Sequence, residues 1–411
     1  MRFASATTAL LTIVVSVAAI AVLHTRHDAT QALASVAQPS LLHASNAYAK
    51  LSDADATASV AFLTGDLDLV YGRSRYISDL RIATAELAAI SRTAGATDEI
   101  ERSVLIINQN LPTYTGLVET ARTNNRQGYP VGAAYLRQAS ETMRADILPE
   151  VLSIYRAEAG KLGVAYDAGA SQSGPLFLLV ITAALVLLVI GVQFWLAGRT
   201  HRVLNLGWLA ATIVTAVVAT AVGLVIASNT DGLHSARQRG SDATAELSSA
   251  RVLAVRAQAD ESLALIARGS GTGFTQDFNE VAGRLRGSDN RSGLAGQVRD
   301  ALRGLGRVGS ANELDTELSL FFREHRTIID LEDTGNYPAA IERTSNDEAP
   351  HLEHIVNVLD NEINVSQQRF IAAITSASFD APAMYFGVAL GAVLICASVG
   401  AGIYPRLREY R

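Results

Sequence analysis

Cysteine and lysine are almost absent from this chain of 411 residues, which has one cysteine, Cys396, and two lysines, Lys50 and Lys161. A single cysteine excludes any disulfide within one chain. Cys396 lies in a long apolar run, where its expected role is that of a small packing residue rather than a redox centre. With alanine and arginine abundant, this composition is typical of a bacterium with a GC-rich genome.

Chemistry-bearing patterns are equally scarce. We find no Ser/His/Asp constellation, no paired catalytic carboxylates and no basic patch typical of nucleic-acid binding. The sequence therefore predicts a protein that is not an enzyme, that needs no cofactor and that has no nucleic-acid partner.

Four long apolar runs contain no Asp, Glu, Lys or Arg, and each is long enough to cross the ~30 Å hydrocarbon core of a membrane. An ion-coupled transporter usually keeps charged groups at mid-membrane, so their absence disfavours transport. The backbone of such runs must satisfy its own hydrogen bonds in lipid, which favours helices. The predicted spans TM1 to TM4 are residues 5–23, 175–197, 206–227 and 382–403.

Charge predicts the orientation of these spans. The short segments at the N-terminus, in the turn 198–205 and in the tail 404–411 are rich in arginine, which is typical of a cytoplasmic face. Segment 24–174 has 16 acidic against 13 basic residues, and segment 228–381 has 23 against 15. We predict a multi-pass plasma-membrane protein with both termini in the cytoplasm. The first run also fits a cleaved signal peptide, but no small-x-small site follows it, and we expect TM1 to be retained.

The two long segments are predicted to be extracytoplasmic and all-helical. Apolar residues recur at helical spacing through segment 24–174, and the turns NNRQG and Tyr129-Pro130 separate four helices. Segment 228–381 has its matching Tyr337-Pro338 at nearly the same distance from its following span. The expected architecture is a duplicated span–bundle–span unit with two up-down four-helix bundles. Its second copy has an insertion at Arg286–Ser310, predicted to be a loop with one short helix.

Four carboxylates are candidate ligand- or partner-binding groups: Asp53, Asp55, Asp260 and Glu261. They occupy matching places in the two halves, and the alanines around Asp55 would let another helix come close. Such a carboxylate could contact a ligand amine or a partner arginine. The alternative is a solvated or arginine-paired face, for which Arg73 and Arg75 are available.

His351 and His354 lie one helical turn apart, near Glu348, Glu353 and His325, and are weak candidates for a metal site. A solvated polar face explains them equally well. Four arginines are candidates for contact with a cytoplasmic partner: Arg199, Arg202, Arg406 and Arg408.

A helical bundle between two spans resembles the sensor domains of chemoreceptors. The four-span plan, with LSDADATASVAFLTG (Leu51–Gly65) and GYPVGAAYLRQAS (Gly128–Ser140), resembles the actinobacterial GlnX-like membrane proteins. This resemblance implies a relay that couples an extracytoplasmic amino-acid-binding lipoprotein to a cytoplasmic Ser/Thr kinase, protein kinase G. The short cytoplasmic pieces leave no room for an output domain, so we expect the signal to pass to a separate protein.

A second hypothesis belongs to a different class, namely an accessory or structural subunit that docks onto transport or cell-envelope machinery. Besides membrane lipid, the expected partners are the solute-binding lipoprotein and the kinase, and a homodimer is compatible with the sequence. The identity of the ligand, and whether it binds directly or through the lipoprotein, are open at this level.

The single cysteine makes the predicted topology testable. In a Cys396→Ser background, we expect Gln127→Cys to react with a membrane-impermeant maleimide in intact cells, because the NNRQG turn is predicted outside. Thr200→Cys, in the central basic turn, should react only after the membrane is permeabilised. Labelling of Thr200→Cys in intact cells would contradict the orientation.

Overall fold

The computed structural model describes residues 2–64, 70–92, 97–200, 206–268, 272–287 and 292–409, and in these ranges it is helical without a strand. Four of its helices are long and apolar enough to cross a membrane. These are Phe3–Thr64, Val131–Trp195, Leu206–Ala267 and Tyr337–Gly402, and each contains an 18-residue window with a mean hydropathy of at least 2.0. The predicted spans TM1 and TM3 lie inside two of these helices, while TM2 and TM4 overlap the other two and extend past their ends, to residues 197 and 403. The all-helical fold class is confirmed for the described residues.

Among its described residues, the first half of the chain contains seven α-helices with two π-helical stretches. Their bounds are α1 Arg2–Ala32, π1 Leu33–Ala37, α2 Gln38–Thr64, α3 Val70–Arg92, α4 Asp98–Arg126, α5 Val131–Thr142, π2 Met143–Ile147, α6 Leu148–Ala170 and α7 Ser173–Thr200. The side chain of Thr97 accepts a hydrogen bond from the backbone N–H of Ile100 and caps α4. Gly128 follows this helix with φ of 72°, a conformation that glycine adopts without strain.

The described part of the second half contains eight α-helices and two further π-helical stretches. Their bounds are α8 Leu206–Ala236, π3 Arg237–Asp242, α9 Ala243–Ala267, α10 Thr272–Arg286, α11 Leu294–Gly304, α12 Val308–Asp333, α13 Tyr337–Arg343, π4 Thr344–Glu348, α14 Ala349–Ala377 and α15 Ala381–Glu409. Helix α11 is the short helix expected in the insertion Arg286–Ser310.

Proline explains three of the four π-helical stretches. Pro39, Pro149 and Pro350 each stand two residues after a π-helical stretch ends. A proline inside a helix has no N–H to donate and its ring collides with the preceding turn. A wider π turn just before the proline accommodates both effects without ending the helix. At Pro39 this wider turn is the stretch π1.

The chain forms two compact units. The span unit comprises Met1–Ala34, Gly163–Arg237 and Ile371–Arg411, and the polar unit comprises Ser35–Leu162 and Gln238–Phe370. The polar unit thus combines parts of both long segments, which the sequence predicts as separate bundles. The domain boundaries expected from the sequence stay a prediction.

In the span unit, α8 packs on α15, and α1 packs on both α7 and α15. The outward faces expose large apolar side chains, among them Leu179, Leu187 and Phe386, as suits contact with lipid. Gly387 and Gly391 lie one helical turn apart on α15, a spacing that favours close helix contact. Only Gly391 faces a neighbour, since a Cβ there would lie 2.6 Å from Cγ2 of Val218, whereas Gly387 has open space.

A polar network ties four chain segments of the span unit together. Nη1 of Arg26 donates to Oδ1 of Asn229 and Oγ1 of Thr230, at 3.0 and 2.9 Å. Nη2 of Arg26 donates to the carbonyl of Ser171 at 2.9 Å. Nδ2 of Asn229 donates to Thr30 at 3.0 Å and to the carbonyl of Ala377 at 2.9 Å. These bonds satisfy the buried guanidinium of Arg26, whose hydrogen-bond partners among the described residues are all uncharged.

Two large apolar cores lie in the described part of the polar unit. The first is formed mainly by α2, α3, α4, α5 and α6, and it also includes Leu263 of α9. The second is formed mainly by α9, α10, α11, α12 and α14, and it also includes Ala56 of α2. Helices α2 and α9 therefore contribute to the core of the other segment as well as to their own.

Helix contact in the span unit should depend on Gly232 of α8. A Cβ at this position would lie 2.6 Å from Cβ and 2.9 Å from Cα of Ala377. We expect Gly232→Ala to cost ~1–3 kcal/mol because the two backbones must move apart, measured as a lower melting temperature of the purified protein in detergent. Gly223→Ala on the same helix meets nothing within 4 Å and is the matched control. Equal effects of the two substitutions would contradict the assigned contact.

Candidate functional site

Helices α2 and α9 of the polar unit pack closely because their facing residues are small. Ala54, Ala56, Ala58 and Ala61 of α2 are all buried, as the sequence suggested. On α9, buried small residues recur in the same way: Ala250, Ala254, Ala257, Ala259, Ser262 and Ala264. Four carboxylates lie on these two helices, so close packing removes them from water. Charge compensation is then required.

Asp53 is compensated by bases from two directions. It is 2% exposed, and its Oδ2 accepts from Nη2 of Arg251 on α9 at 2.7 Å and from Nζ of Lys50 at 3.2 Å. Arg251, itself 4% exposed, also pairs with Asp360 of α14 at 2.6 Å. Lys50 extends the array to Asp79 of α3 at 3.1 Å. The arrangement links four helices of the polar unit through one buried carboxylate.

Asp55 and Asp260 share a single arginine. Arg144, on π2, places Nε 3.7 Å from Oδ2 of Asp55, and its Nη1 donates to Oδ1 of Asp260. Oγ of Ser140 donates to Asp55 at 2.6 Å, and Arg256 lies 3.7 Å from Asp260. Arg144 therefore joins one carboxylate from each half of the chain.

Burial dominates the protonation of these groups. It raises the pKa of Asp55 above its usual value, with Arg144 and Ser140 opposing the shift. Burial likewise raises the pKa of Asp260 to about 6, with Arg144 and Arg256 opposing it. For Arg144, burial lowers the pKa, but Asp55 and Asp260 outweigh it and the net direction is upward. Arg144 thus stays charged across the range in which Asp260 titrates.

Glu261 follows Asp260 in sequence and faces a different set of residues. Its carboxylate contacts Nδ1 of His325 on α12, and Oγ1 of Thr344 lies 3.3 Å from its Oε1. Successive residues of a helix point about 100° apart, which explains why these two acids have no common partner.

A cavity of about 370 Å³ in the polar unit opens beside Asp53. Its charged and polar lining comes from α2, α3, α9, π4 and α14: Asp53, Thr57, Arg75, Gln258, Ser345 and Glu353. Apolar side chains such as Val60 and Leu352 complete the wall. A space of this size, with a few charged groups in an apolar wall, suits a small polar molecule or one inserted side chain.

The structure places Asp53 in one buried ion-pair group with Arg251, and it places Asp55 and Asp260 in a second group with Arg144. Glu261 lies outside both groups. The partners of these aspartates are Arg144 and Arg251, which sequence reasoning did not identify. Arg73, suggested as a partner, lies 3.7 Å from Glu119 instead, and Arg75 lines the cavity beside Asp53. The sequence around Arg251 offered one indication of its role. It is a charged residue among alanines and valines, which suggests a buried arginine that needs an acidic partner.

His351 and His354 both point at Glu317 rather than at a common metal position. Nδ1 of His351 lies 2.7 Å from Oε2 of Glu317, and Nδ1 of His354 lies 3.7 Å from Oε1. Among the arginines predicted to meet a cytoplasmic partner, Arg202 and the side chains of Arg199, Arg406 and Arg408 lie outside the described part of the structure.

Residues 29–167 match the family model described as actinobacterial sensor domain. This region contains Asp53, Asp55 and Arg144, and it covers about one third of the chain. Curated proteins and solved structures gave no match. The match and the four candidate spans fit an actinobacterial membrane sensor.

Asp260 makes the stability of the polar unit depend on pH. Its native pKa of about 6 exceeds the ~3.9 of an unfolded aspartate, so native Asp260 binds a proton between these values and the unfolded form does not. The wild type thus gains stability as the pH falls through 6. Asp260→Asn removes the charge, keeps an oxygen for Arg144 and lacks this gain.

We expect the melting temperature of Asp260→Asn, relative to wild type, to be higher at pH 7.5 than at pH 4.5. The difference corresponds to at most ~2–3 kcal/mol. Asp277→Asn is the control, because Asp277 also lies near Arg144, at 3.7 Å, but is 44% exposed. A relative stability that is the same at both pH values would contradict the buried, titrating state of Asp260.

Proposed function

We propose that this protein is a non-enzymatic membrane sensor whose polar unit faces the extracytoplasmic side. It relays a signal there, the availability of an amino acid presented by a solute-binding lipoprotein, to a separate cytoplasmic Ser/Thr kinase. The match of residues 29–167 to an actinobacterial sensor domain and the four candidate spans support the sensor assignment. The amino acid, the lipoprotein and the kinase are our proposal, suggested by the resemblance to GlnX-like proteins.

The observation that carries this proposal is that α2 and α9 hold two buried ion-pair groups, each built on one arginine. Arg144 holds Asp55 and Asp260, and Arg251 holds Asp53 and Asp360, so each arginine bridges the two halves of the chain. Buried ion pairs are costly to separate and are sensitive to small shifts of their helices. An array of this kind suits a two-state element, since a shift of one half changes the pairing of the other.

The cavity beside Asp53 is the proposed point at which the signal enters. Asp53 and Glu353 supply negative charge and Arg75 supplies positive charge in its lining. A group that carries both an amine and a carboxylate, or a charged side chain of the loaded lipoprotein, would find partners there. Such an occupant shifts the equilibrium between two arrangements of the polar unit only by the difference between its affinities for them.

The proposed route across the membrane follows the long helices. Helix Phe3–Thr64 contains residues of both units, and so do the helices that include the other three spans. A change in the polar unit would reach the cytoplasmic arginines Arg199, Arg202, Arg406 and Arg408 along these helices. The kinase would read the arrangement of these arginines.

We also propose that the chain arose by duplication. The stretches π2 and π4 are each followed by a proline at the second residue of the next helix, in DILPE and DEAPH. The stretches π1 and π3 precede α2 and α9, which carry the matched Ala-Asp pairs Ala54-Asp55 and Ala259-Asp260. These correspondences support two copies of one ancestral unit.

Site-specific photo-crosslinking in native membranes tests the proposal. A photoreactive residue at Arg75, in the cavity lining, should capture a solute-binding lipoprotein, and one at Arg406 should capture a Ser/Thr kinase. The same residue at Thr84, exposed on α3 and outside the cavity lining, is the control.

Asp53→Asn should reduce the lipoprotein crosslink at Arg75 several-fold while leaving the amount of protein in the membrane unchanged. Addition of free amino acids without the lipoprotein separates direct binding from presentation by a partner. Capture of only transport or cell-wall machinery at both positions would contradict the proposed relay and favour the docking-subunit hypothesis.

A further inference from the structure

A second buried cluster of titratable groups lies in the polar unit, formed by Glu261 of α9, His325 of α12 and Glu348 of π4. Glu261 is 2% exposed and Glu348 is fully buried, and the ligating atoms of the three residues lie within 4.8 Å of one another. Two carboxylates and one imidazole, from three different helical segments, therefore lie close together.

The surroundings hold the imidazole and one carboxylate in place. The ring of His325 stacks on Phe278, with centroids 3.7 Å apart and planes at 16°. Nδ1 of His325 contacts Oε2 of Glu261, while Oγ1 of Thr344 donates to Oε1 of Glu261 at 3.3 Å. Ordered ligands of this kind favour metal binding because little freedom is lost when the ion arrives.

Glu348 is not compensated by the protein. Neither of its carboxyl oxygens has a hydrogen-bond partner. Within the described ranges, no lysine or arginine forms an ion pair with Glu348 or Glu261. Asp260, one residue before Glu261, is paired with both Arg144 and Arg256. Two buried carboxylates with one imidazole leave a deficit of positive charge that a proton or a cation must fill.

We propose that Glu261, His325 and Glu348 form a binding site for one divalent transition-metal cation of the Zn²⁺ type. One imidazole nitrogen and two carboxylate oxygens are ligands that Zn²⁺ accepts, and water can complete a tetrahedral set. The π-helical stretch π4 supports this assignment. It carries Thr344 and Glu348 at its two ends, both buried towards α9, and π-helical turns recur at functional sites.

The alternative occupant is a proton. Burial and the neighbouring Glu261 raise the pKa of Glu348 well above its ordinary value, which favours the protonated carboxyl group. Protons compete with a metal for carboxylate and imidazole ligands, so metal affinity should increase with pH. Replacement of Glu348 by glutamine mimics the protonated state and should leave the metal-free protein folded.

Metal binding is measured on the full chain in detergent, with a tag that contains no histidine, after removal of metal with EDTA. Wild-type protein should bind about one equivalent of Zn²⁺ by isothermal titration calorimetry, with a rise in melting temperature. Glu348→Gln and His325→Asn should each weaken the affinity at least ~10-fold. Wild-type metal-free protein should melt no higher than metal-free Glu348→Gln.

His351→Asn is the matched control, because His351 is another partly buried histidine paired with a glutamate, Glu317, outside the cluster. It should bind Zn²⁺ as wild type does. If Glu348→Gln fails to fold, His325→Asn and Glu261→Gln decide the question in its place. Two results would contradict the metal site: no saturable Zn²⁺ binding by wild type, or an equal loss of affinity in His351→Asn. A proton on Glu348 would then be the occupant of the cluster.

Discussion

The structure of the polar unit depends on one constraint, which is that carboxylates buried on α2 and α9 need positive partners from elsewhere in the chain. Asp53, Asp55 and Asp260 are at most 3% exposed, and burial of an unpaired charge would cost several kcal/mol. Arg251 meets Asp53 from the other half of the chain, and Arg144 meets Asp260 in the same way. Compensation across the halves therefore joins two segments that the sequence presents as separate, and makes each segment sensitive to the position of the other.

Two prolines let the long helices bring polar groups to buried carboxylates of α9. Pro149 and Pro350 each follow a π-helical stretch, and those stretches carry Arg144 in one half and Glu348 in the other. A π turn has one residue more than an α turn, so it changes the face on which the following side chains lie. The same local solution thus delivers a base to Asp260 and an acid to Glu261. The π turns that keep these helices continuous at a proline therefore also position their buried polar side chains.

Most of the helical architecture could be predicted from the sequence, because apolar runs, the cap at Thr97 and the glycine at position 128 act over short distances. The partners of the buried acids could not be predicted, since Asp53 and Arg251 are nearly 200 residues apart and no local pattern links them. Arg73 and Arg75 are closer in sequence, but Arg73 meets Glu119 in the structure. Spacing placed His351 and His354 on one helical turn, yet it did not reveal that Glu317 lies between them. Contacts between distant helices decide such cases, and they follow from packing rather than from spacing.

Asp260 and Glu261 show why position on the helix matters more than residue type in this unit. Both are buried acids on α9, but Asp260 meets two arginines while Glu261 meets an imidazole and faces a second, unpaired carboxyl group. The first environment has basic partners from the chain itself, although burial still raises the pKa of Asp260 to about 6. The second is balanced only when it takes up a proton or a cation. Under the proposed function, α9 would therefore carry one ion-pair group that depends on the position of the two halves and, one residue further on, a group that depends on a bound proton or cation.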